Sequence, residues 1–195
     1  MSILLRTVTP TDAGRLAEIY RPYVEGHSVT LEYDAPDAAE FERRIADIAG
    51  EFPYLAAVED DRIIGYAYAH RYKQRYGYRF CAELSVYLEA GHGGKGLGRR
   101  LYGALIELCA MLGYKNLYGI VTDPNPSSFA LHKHFGFTEA GREHLAGYKF
   151  GEWHDVVLFE RIISPHESCA DAASWRDAPL RFDALDAADI AAVLE

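Results

Sequence analysis

The sequence predicts an α/β protein whose sheet is mixed, combining antiparallel hairpins with a strand that leads through a glycine-rich loop into a helix. Two strand-like segments, 54–60 and 62–70, flank a tight acidic turn, which is typical of a β-hairpin. A third strand-like segment, FCAELSVYL at 80–88, precedes the loop GHGGKGLG at 91–98, and leucines at helical spacing follow. This order argues against a doubly wound sheet of helix-linked parallel strands.

Before the hairpin, the pattern indicates one strand and two helices. Residues 3–9 form a strand pattern, and Thr11 or Asp12 is expected to cap an amphipathic helix. A second helix is expected over 37–49, ending at Gly50.

After the glycine loop, a helix is expected over 97–112 because its leucines recur on one face and Gly113 follows. A strand over 116–122 comes next. Asn125 is a good N-cap with Pro126 at the first helical position, so a short helix is expected from there to Gly136. Two further strands, near 137–148 and 153–162, complete the predicted fold.

The composition changes at Ser164, where a stretch rich in alanine and acidic residues begins. The sequence therefore predicts one domain over 1–163 and an acidic C-terminal tail over 164–195. A weak helical pattern near the end of the tail involves Leu185, Ile190, Val193 and Leu194. No role is assigned to this tail.

Charge and cysteine content exclude several classes of protein. A formal net charge of -9 argues against nucleic acid or an anionic membrane as the main partner. Cys81, Cys109 and Cys169 are too few and too scattered for a disulfide framework or a zinc site. The N-terminal stretch MSILLRTVTP lacks a signal-peptide pattern, and no apolar run is long enough to span a bilayer. We therefore expect a cytoplasmic protein without a metal.

The glycine loop is suited to an anion, because a backbone with few side chains can turn its N–H groups toward a ligand at close range. A P-loop requires a hydroxyl after Gly-Lys, whereas Leu97 and Gly98 follow Gly96 here. The segment GHGGKG does satisfy the dinucleotide pattern, and Asp123 could serve as its ribose-binding acid. Too few elements follow Asp123 to complete a doubly wound sheet, however.

Several motifs together resemble the GNAT superfamily of N-acetyltransferases over about residues 3–162. They are SVYL before the loop, GKGLGRRL across it, and NPSSFALHKHFGF after the next strand. Within that superfamily, FCAELSVYL, LHKHFGF and AGYKFGEWHDVVLFERII are most similar to the phosphinothricin and methionine sulfone or sulfoximine acetyltransferases. One departure is Gly93, where the family usually has Gln or Arg. The resemblance implies the GNAT fold, a V-shaped mixed sheet that binds acetyl-CoA.

The resemblance also implies which residues hold acetyl-CoA. Backbone N–H groups of residues 93–98 and the start of the following helix would meet the pyrophosphate, while Lys95, Arg99 or Arg100 could reach the remaining phosphate charge. The full set implied as cofactor-binding is Val86, Tyr87, Gly93, Gly94, Lys95, Gly96, Gly98, Arg99, Asn125 and Ser128. Without the resemblance, the same loop could be a solvated surface loop, and Asn125 a simple helix cap.

Two residues are candidates for the chemistry. Taken alone, Glu83 within FCAELSVYL would be interpreted as a structural salt-bridge partner, since a carboxylate in an aromatic-rich strand needs a partner. The resemblance implies instead that Glu83 is the general base that deprotonates the amine. His132 shares a helix face with Phe129 and Phe135, so it could be merely packed. The resemblance implies that it either protonates the departing thiolate or relays the proton from the amine.

The segment HRYKQRYGYR at 70–79 is the one strongly basic stretch of an acidic chain. Basic residues interleaved with tyrosines can bind single-stranded nucleic acid, which the net charge disfavours, or can form a solvated loop. The resemblance implies that Arg75, Tyr78 and Arg79 bind a small amino-acid-like acceptor. It further implies a homodimer. The alternatives are a GNAT enzyme for another amine, such as a polyamine, a drug or a protein N-terminus, and a module that senses acyl-CoA without turnover.

Overall fold

The computed structural model describes residues 3–167 and 177–195 and contains one seven-stranded sheet with five helices in those ranges. The strands and helices are β1 Leu4–Thr7, α1 Ala13–Gly26, α2 Ala38–Ile48, β2 Tyr54–Glu59, β3 Arg62–Arg71, β4 Cys81–Leu88, α3 Leu97–Met111, β5 Asn116–Asp123, α4 Pro126–His134, β6 Thr138–Lys149, β7 Glu152–Ile162 and α5 Ala187–Leu194. Cys169 lies outside the described residues.

The strand order is β1-β2-β3-β4-β5-β7-β6, and each neighbouring pair is antiparallel except β4 and β5. The predicted mixed sheet is therefore confirmed. The hairpin between β2 and β3 turns at Asp60 and Asp61, which both adopt positive φ of 47° and 62°. The turn between β6 and β7 does the same at Phe150 and Gly151, at 52° and 85°. Two successive positive φ values match the right-handed twist of the flanking strands.

Helix α1 begins one residue after the predicted cap. A short 3₁₀ turn over Pro10–Asp12 comes first, and the Asp12 side chain caps no N–H of α1. Its carboxylate instead accepts a hydrogen bond from the Thr9 N–H at 2.8 Å and pairs with Arg6 at 2.7 Å. The Arg6 hydrogen bond holds the pKa of Asp12 below its usual range.

Two apolar clusters cover the two faces of the sheet. Helices α3 and α5 pack on one face, and the buried cluster there includes Leu101, Leu105 and Leu117. Helices α1 and α2 pack on the other face around Leu16, Ile45 and Tyr66. Alternation along β4 therefore sends successive side chains to opposite clusters.

Strands β4 and β5 pair over only three residues, from Cys81 opposite Asn116 to Glu83 opposite Tyr118. Beyond that point each strand pairs only with its outer neighbour: β4 with β3 as far as Leu88, and β5 with β7 as far as Asp123. The two halves of the sheet diverge into a V-shaped gap. The glycine loop and the start of α4 both follow the open ends of these strands.

The two halves of the sheet are tied together on the α1 and α2 face. The Lys149 ammonium donates a hydrogen bond to the Thr30 carbonyl at 2.8 Å, and the Tyr33 hydroxyl donates one to the Tyr148 carbonyl at 2.5 Å. Lys149 is only 2% exposed, and burial lowers its pKa. The segment between α1 and α2 is thereby held against the β6–β7 hairpin.

The described part of the C-terminal segment packs against the domain. Phe182 and Leu194 are buried in the α3 cluster, and the Leu180 and Phe182 N–H groups donate to the Leu112 and Glu51 carbonyls at 2.8 and 3.1 Å. The domain boundary at residue 163 stays a prediction. Residues 177–195 nevertheless contribute apolar side chains to the core, which the sequence analysis did not foresee.

Candidate active site

The glycine loop adopts a conformation that few other residues would tolerate. Gly91, Gly94 and Gly96 have φ of 85°, 77° and 85°, in the left-handed region that favours glycine. Gly96 is the N-cap of α3 and forms no side-chain cap, so the first N–H groups of that helix point outward without an internal partner. The positive end of the helix dipole lies at the same place.

Ion pairs fix the segment that leads into the loop. Glu89 follows β4, and its carboxylate pairs with Arg15 of α1 at 2.6 Å and with Arg62 of β3 at 2.5 Å. Tyr23 of α1 donates its hydroxyl to the Leu88 carbonyl at 2.7 Å. The start of the loop is therefore held in place by α1 and β3, although the loop itself carries few side chains.

A cavity of about 770 Å³ lies between the glycine loop, the diverging ends of β4 and β5, and α4. It is large enough for an extended small-molecule ligand. The structure brings together here most of the residues predicted to hold the cofactor, and His132 as well. The predicted residues that line it are Val86, Tyr87, Gly93, Gly94, Gly96, Gly98, Arg99, Asn125, Ser128 and His132. Lys95 stands in the exposed loop but is not part of this lining.

Arg100 does not belong to this group. Its guanidinium donates hydrogen bonds to the Ile3 carbonyl and, at 3.0 Å, to the Glu195 carbonyl. Consecutive helical residues point about 100° apart, so Arg99 lines the cavity while Arg100 faces the chain termini. The suggestion that Arg100 reaches a phosphate is therefore wrong.

The edge of β4 that faces the gap is free of β5 beyond Glu83. Its backbone N–H and C=O groups can pair with an extended ligand in the way that an added strand pairs with a sheet edge. The Tyr87 ring packs away from the gap against Tyr20 and Tyr23, with centroid distances of 4.8 and 5.2 Å. Tyr87 therefore supports the edge by packing, and burial keeps its pKa well above the usual range.

Glu83 lies at the apex of the gap, on the face of the sheet that carries α1 and α2. Its carboxylate oxygen is 3.6 Å from His70 Nε2 on β3, and its side chain is 17% exposed. Tyr118 stands opposite it on β5. Glu83 is therefore largely buried beside His70 at the apex of the gap.

His132 lies on the other face of the sheet and is 3% exposed. Its ring stacks on Phe159 at 4.8 Å and meets Phe137 edge-on at 5.1 Å. Nδ1 is 2.8 Å from the Ser128 carbonyl, and Nε2 is 2.9 Å from the Tyr102 hydroxyl. Burial lowers the pKa of His132, an effect that the Ser128 hydrogen bond partly offsets.

Glu83 and His132 thus flank the gap from opposite faces of the sheet. A reacting group that enters between β4 and β5 would meet a carboxylate on one side and an imidazole on the other. Such a site can remove a proton on one face while a second polar group acts on the other.

The basic stretch of the sequence reaches the same face as Glu83. Tyr72 stacks on Tyr118 with centroids 3.9 Å apart, and the Lys73 ammonium lies over the Tyr72 and Tyr78 rings at 4.8 and 4.9 Å. Tyr118 stands opposite Glu83 in the sheet register, so the Tyr72 ring lies on the same face of the sheet as the candidate base.

The three predicted acceptor-binding residues differ in their surroundings. Arg75 and Tyr78 are exposed at the two ends of a short 3₁₀ turn. Arg79 donates to the Asp177 carbonyl at 2.5 Å and lies over the Tyr76 ring at 4.5 Å. The C-terminal segment therefore engages Arg79, which the sequence analysis did not anticipate. None of the three lines the cavity at the glycine loop.

Some residues of the site were missed in the sequence. Gly119 of β5 lies under His132, and a Cβ at Gly119 would stand 2.0 Å from His132 Nε2. A glycine inside a strand pattern signals such a close approach. Tyr102 lies on α3 among the leucines of the predicted stripe and was not singled out, while His70 was counted only as part of a basic stretch.

Within residues 3–167 and 177–195, no group of three His, Cys, Asp or Glu side chains is arranged to hold a metal ion. The same residues include no helix that is both long and apolar enough to cross a membrane.

Comparison with known proteins agrees with the geometry of this site. A family described as an acetyltransferase (GNAT) domain matches residues 5–158. A phosphinothricin N-acetyltransferase from Alcaligenes faecalis is 38% identical over 163 residues, which cover 82% of each chain. An L-methionine sulfoximine/L-methionine sulfone acetyltransferase from Salmonella typhimurium is 29% identical over 83% of this chain and 95% of its own.

A solved structure shows the same architecture with a ligand bound. The phosphinothricin acetyltransferase from Sinorhizobium meliloti, crystallised with acetyl-CoA, superposes with a TM-score of 0.80 at 34% identity. The match covers 87% of this chain and 96% of that one. The described C-terminal residues 177–195 lie beyond the 5–158 range that the family match covers.

Proposed function

The chain belongs to the GNAT family of acetyltransferases, and we propose that it transfers the acetyl group of acetyl-CoA to the amino group of a small amino-acid-like acceptor. Phosphinothricin, methionine sulfone and methionine sulfoximine are the acceptors proposed, because relatives at 38% and 29% identity are named for them. The observation that carries the proposal is the gap between β4 and β5, with the glycine loop at its mouth and Glu83 at its apex.

The residues around the 770 Å³ cavity fit acetyl-CoA. N–H groups at the start of α3 and the positive end of its dipole would bind the pyrophosphate, with Arg99 beside them. The glycines leave open space there, since a Cβ at Gly93, Gly94 or Gly96 would meet nothing within 4 Å. The free edge of β4 would pair with the pantetheine arm. Acetyl-CoA supplies the acetyl group as an activated thioester.

Glu83 is the proposed general base. The amine of the acceptor is an ammonium near neutral pH, with an ordinary pKa of about 10, and must lose a proton before it can attack. A carboxylate at the apex of the gap, 17% exposed, can take that proton and release it to solvent. No covalent enzyme intermediate is required, because direct attack on the thioester completes the transfer.

The acceptor is proposed to bind on the face of Glu83 beneath the 70–79 segment. Tyr72 stacks there on Tyr118, the register partner of Glu83, and Lys73, Tyr78, Arg75 and Arg79 lie on the same segment. An arginine can bind a carboxylate through two parallel hydrogen bonds, which favours an aminocarboxylic acid over a simple amine. The homodimer and the cytoplasmic location expected from the sequence also belong to this proposal.

The test measures free thiol released from acetyl-CoA with the three proposed acceptors, with their decarboxylated amines and with spermidine. We expect turnover of the amino acids and a kcat lower by roughly 10² to 10⁴ in Glu83→Gln, with less loss at high pH where more free amine exists. Glu143→Gln, an exposed carboxylate on β6, serves as the matched control.

Three outcomes would contradict parts of the proposal. Preferred turnover of amines without a carboxylate would indicate a GNAT enzyme for another class of amine. Acetyl-CoA binding in calorimetry without thiol release for any acceptor would indicate a sensing module. Near-normal activity of Glu83→Gln would show that Glu83 is structural.

A further inference from the structure

We propose that Tyr102 is a positioning residue that donates its hydroxyl proton to Nε2 of His132 and so, together with the Ser128 carbonyl at Nδ1, holds the ring as the neutral Nδ1–H tautomer. The inference rests on the proposed acetyl transfer, in which His132 flanks the reacting gap. It assigns a function to a buried hydroxyl that the proposed mechanism does not otherwise use.

The hydrogen bond to Ser128 determines the tautomer. Nδ1 is 2.8 Å from the Ser128 carbonyl oxygen, which can only accept a hydrogen bond, so Nδ1 must carry the proton. The Ser128 hydroxyl lies further from the same nitrogen, at 3.3 Å. Ser128 is one turn before His132 on α4, so the helix itself presents this acceptor.

The state of Nε2 follows from the charge of the ring. His132 is 3% exposed, and burial lowers its pKa, so the ring is neutral near pH 7. A neutral imidazole with a proton on Nδ1 has a lone pair on Nε2. Tyr102 must therefore donate its hydroxyl proton to Nε2 across the 2.9 Å contact.

Tyr102 is suited to act as that donor. Its side chain is fully buried, and desolvation keeps its pKa well above the usual range, so the hydroxyl stays protonated. The other groups packed on the imidazole are the rings of Phe137 and Phe159 and the backbone of Gly119. None of these groups is charged. Cys109 and Glu83 act on Tyr102 only through longer-range electrostatics.

This arrangement distinguishes between the two functions expected for His132. Donation of a proton from Nε2 to the departing sulfur is incompatible with the resting tautomer, because that nitrogen carries no proton. Nε2 can act only as an acceptor, and in the resting state its lone pair accepts the Tyr102 hydroxyl. Both Tyr102 and His132 line the cavity, so the pair is in reach of a ligand there.

The experiment compares Tyr102→Phe with Tyr114→Phe. Tyr114 is a buried tyrosine of the same cluster that packs on Phe52 rather than on His132. We expect Tyr102→Phe to lower kcat by about tenfold or more at unchanged KM for acetyl-CoA, and to shift the pH profile of kcat, since the hydrogen bond that favours neutral His132 is lost. Tyr114→Phe should leave both quantities unchanged.

A second measurement does not depend on activity. Nitrogen-15 NMR of the histidine side chains, with His132 identified by its loss in His132→Gln, should show a protonated Nδ1 and an unprotonated Nε2 at pH 7 to 8. A proton on Nε2 would overturn the proposal, as would equal kinetics for the two tyrosine variants. If no acceptor is ever acetylated, the proposed function fails while the NMR result still tests the tautomer.

Discussion

At the scale of single residues, the site depends on how closely the backbone of β5 approaches His132. Gly119 pairs with Phe159 across β5 and β7, and the His132 ring stacks on that same phenylalanine. The space over Gly119 is therefore filled by the imidazole. A side chain at position 119 would displace His132 from both of its hydrogen bonds.

Gly119→Ala should consequently impair both stability and catalysis. The new Cβ would lie 2.0 Å from Nε2 in the present geometry, so the ring must move. We expect a loss of about 1 to 3 kcal/mol in the free energy of unfolding, typical of an overpacked core, together with a lower kcat. Urea unfolding and the thiol assay measure these effects.

Gly141→Ala is the control for Gly119→Ala, because a Cβ at Gly141 of β6 meets nothing within 4 Å. Equal stability and activity of the two alanine variants would mean that His132 is not held against Gly119.

Residues of the site differ in how far the sequence reveals them. The glycine loop and Asn125 were predicted because positive φ and helix capping leave a local signature in residue type. Tyr102 was missed because a buried tyrosine in a helical stripe looks the same whether it only packs or also forms a hydrogen bond. Arg100 was misplaced because its partners, Ile3 and Glu195, lie at the two ends of the chain.

At the scale of elements, helices and strands followed their sequence patterns closely, while the C-terminal segment did not. Its weak apolar pattern left it without an assigned role. Phe182 is nevertheless 7% exposed in the core beside α3, and its N–H donates to the Glu51 carbonyl at 3.1 Å. Contacts between residues that are so far apart in the chain leave no periodic signal in the sequence.

Phe182→Ala should therefore destabilise the whole domain and not merely loosen a tail. Removing a buried phenylalanine leaves a cavity and typically costs about 3 to 5 kcal/mol. Leu180→Ala is the control, because the Leu180 side chain is 55% exposed. The hydrogen bond of this residue to the Leu112 carbonyl is donated by its backbone N–H, which alanine keeps. Guanidinium unfolding would measure both variants. A midpoint for Phe182→Ala that coincides with that of Leu180→Ala would show that the segment adds nothing to the core.

At the scale of the molecule, the diverging sheet brings groups from distant parts of the chain to one gap. Folding also buries several titratable groups and changes their pKa values. Two buried groups have lowered pKa values from desolvation, namely His132 and Lys149. Asp12 has a lowered pKa because of Arg6. In all three cases the unfolded chain binds protons more readily than the folded one, so stability should fall as the pH falls.

The window between pH 7 and pH 5 isolates His132 among these three groups. Its ordinary pKa is about 6.5, whereas those of Asp12 and Lys149 lie well outside the window. The folded-state pKa is the lower one, so the stabilisation is complete above about pH 6.5 and is lost as the pH falls toward the folded value. For one proton, this loss is about 1.4 kcal/mol for each pH unit between the two values.

We therefore expect the free energy of unfolding in urea to decrease between pH 7 and pH 5, and to decrease less in His132→Gln. The difference between the two slopes, rather than either slope alone, reports the buried imidazole, because the other histidines are common to both proteins. His134→Gln, which removes an exposed histidine from the same helix, α4, is the matched control. If His132→Gln and the wild type lose stability in parallel, His132 binds protons equally well in the folded and unfolded chain, and its neutral, hydrogen-bonded state beside Tyr102 would have to be abandoned.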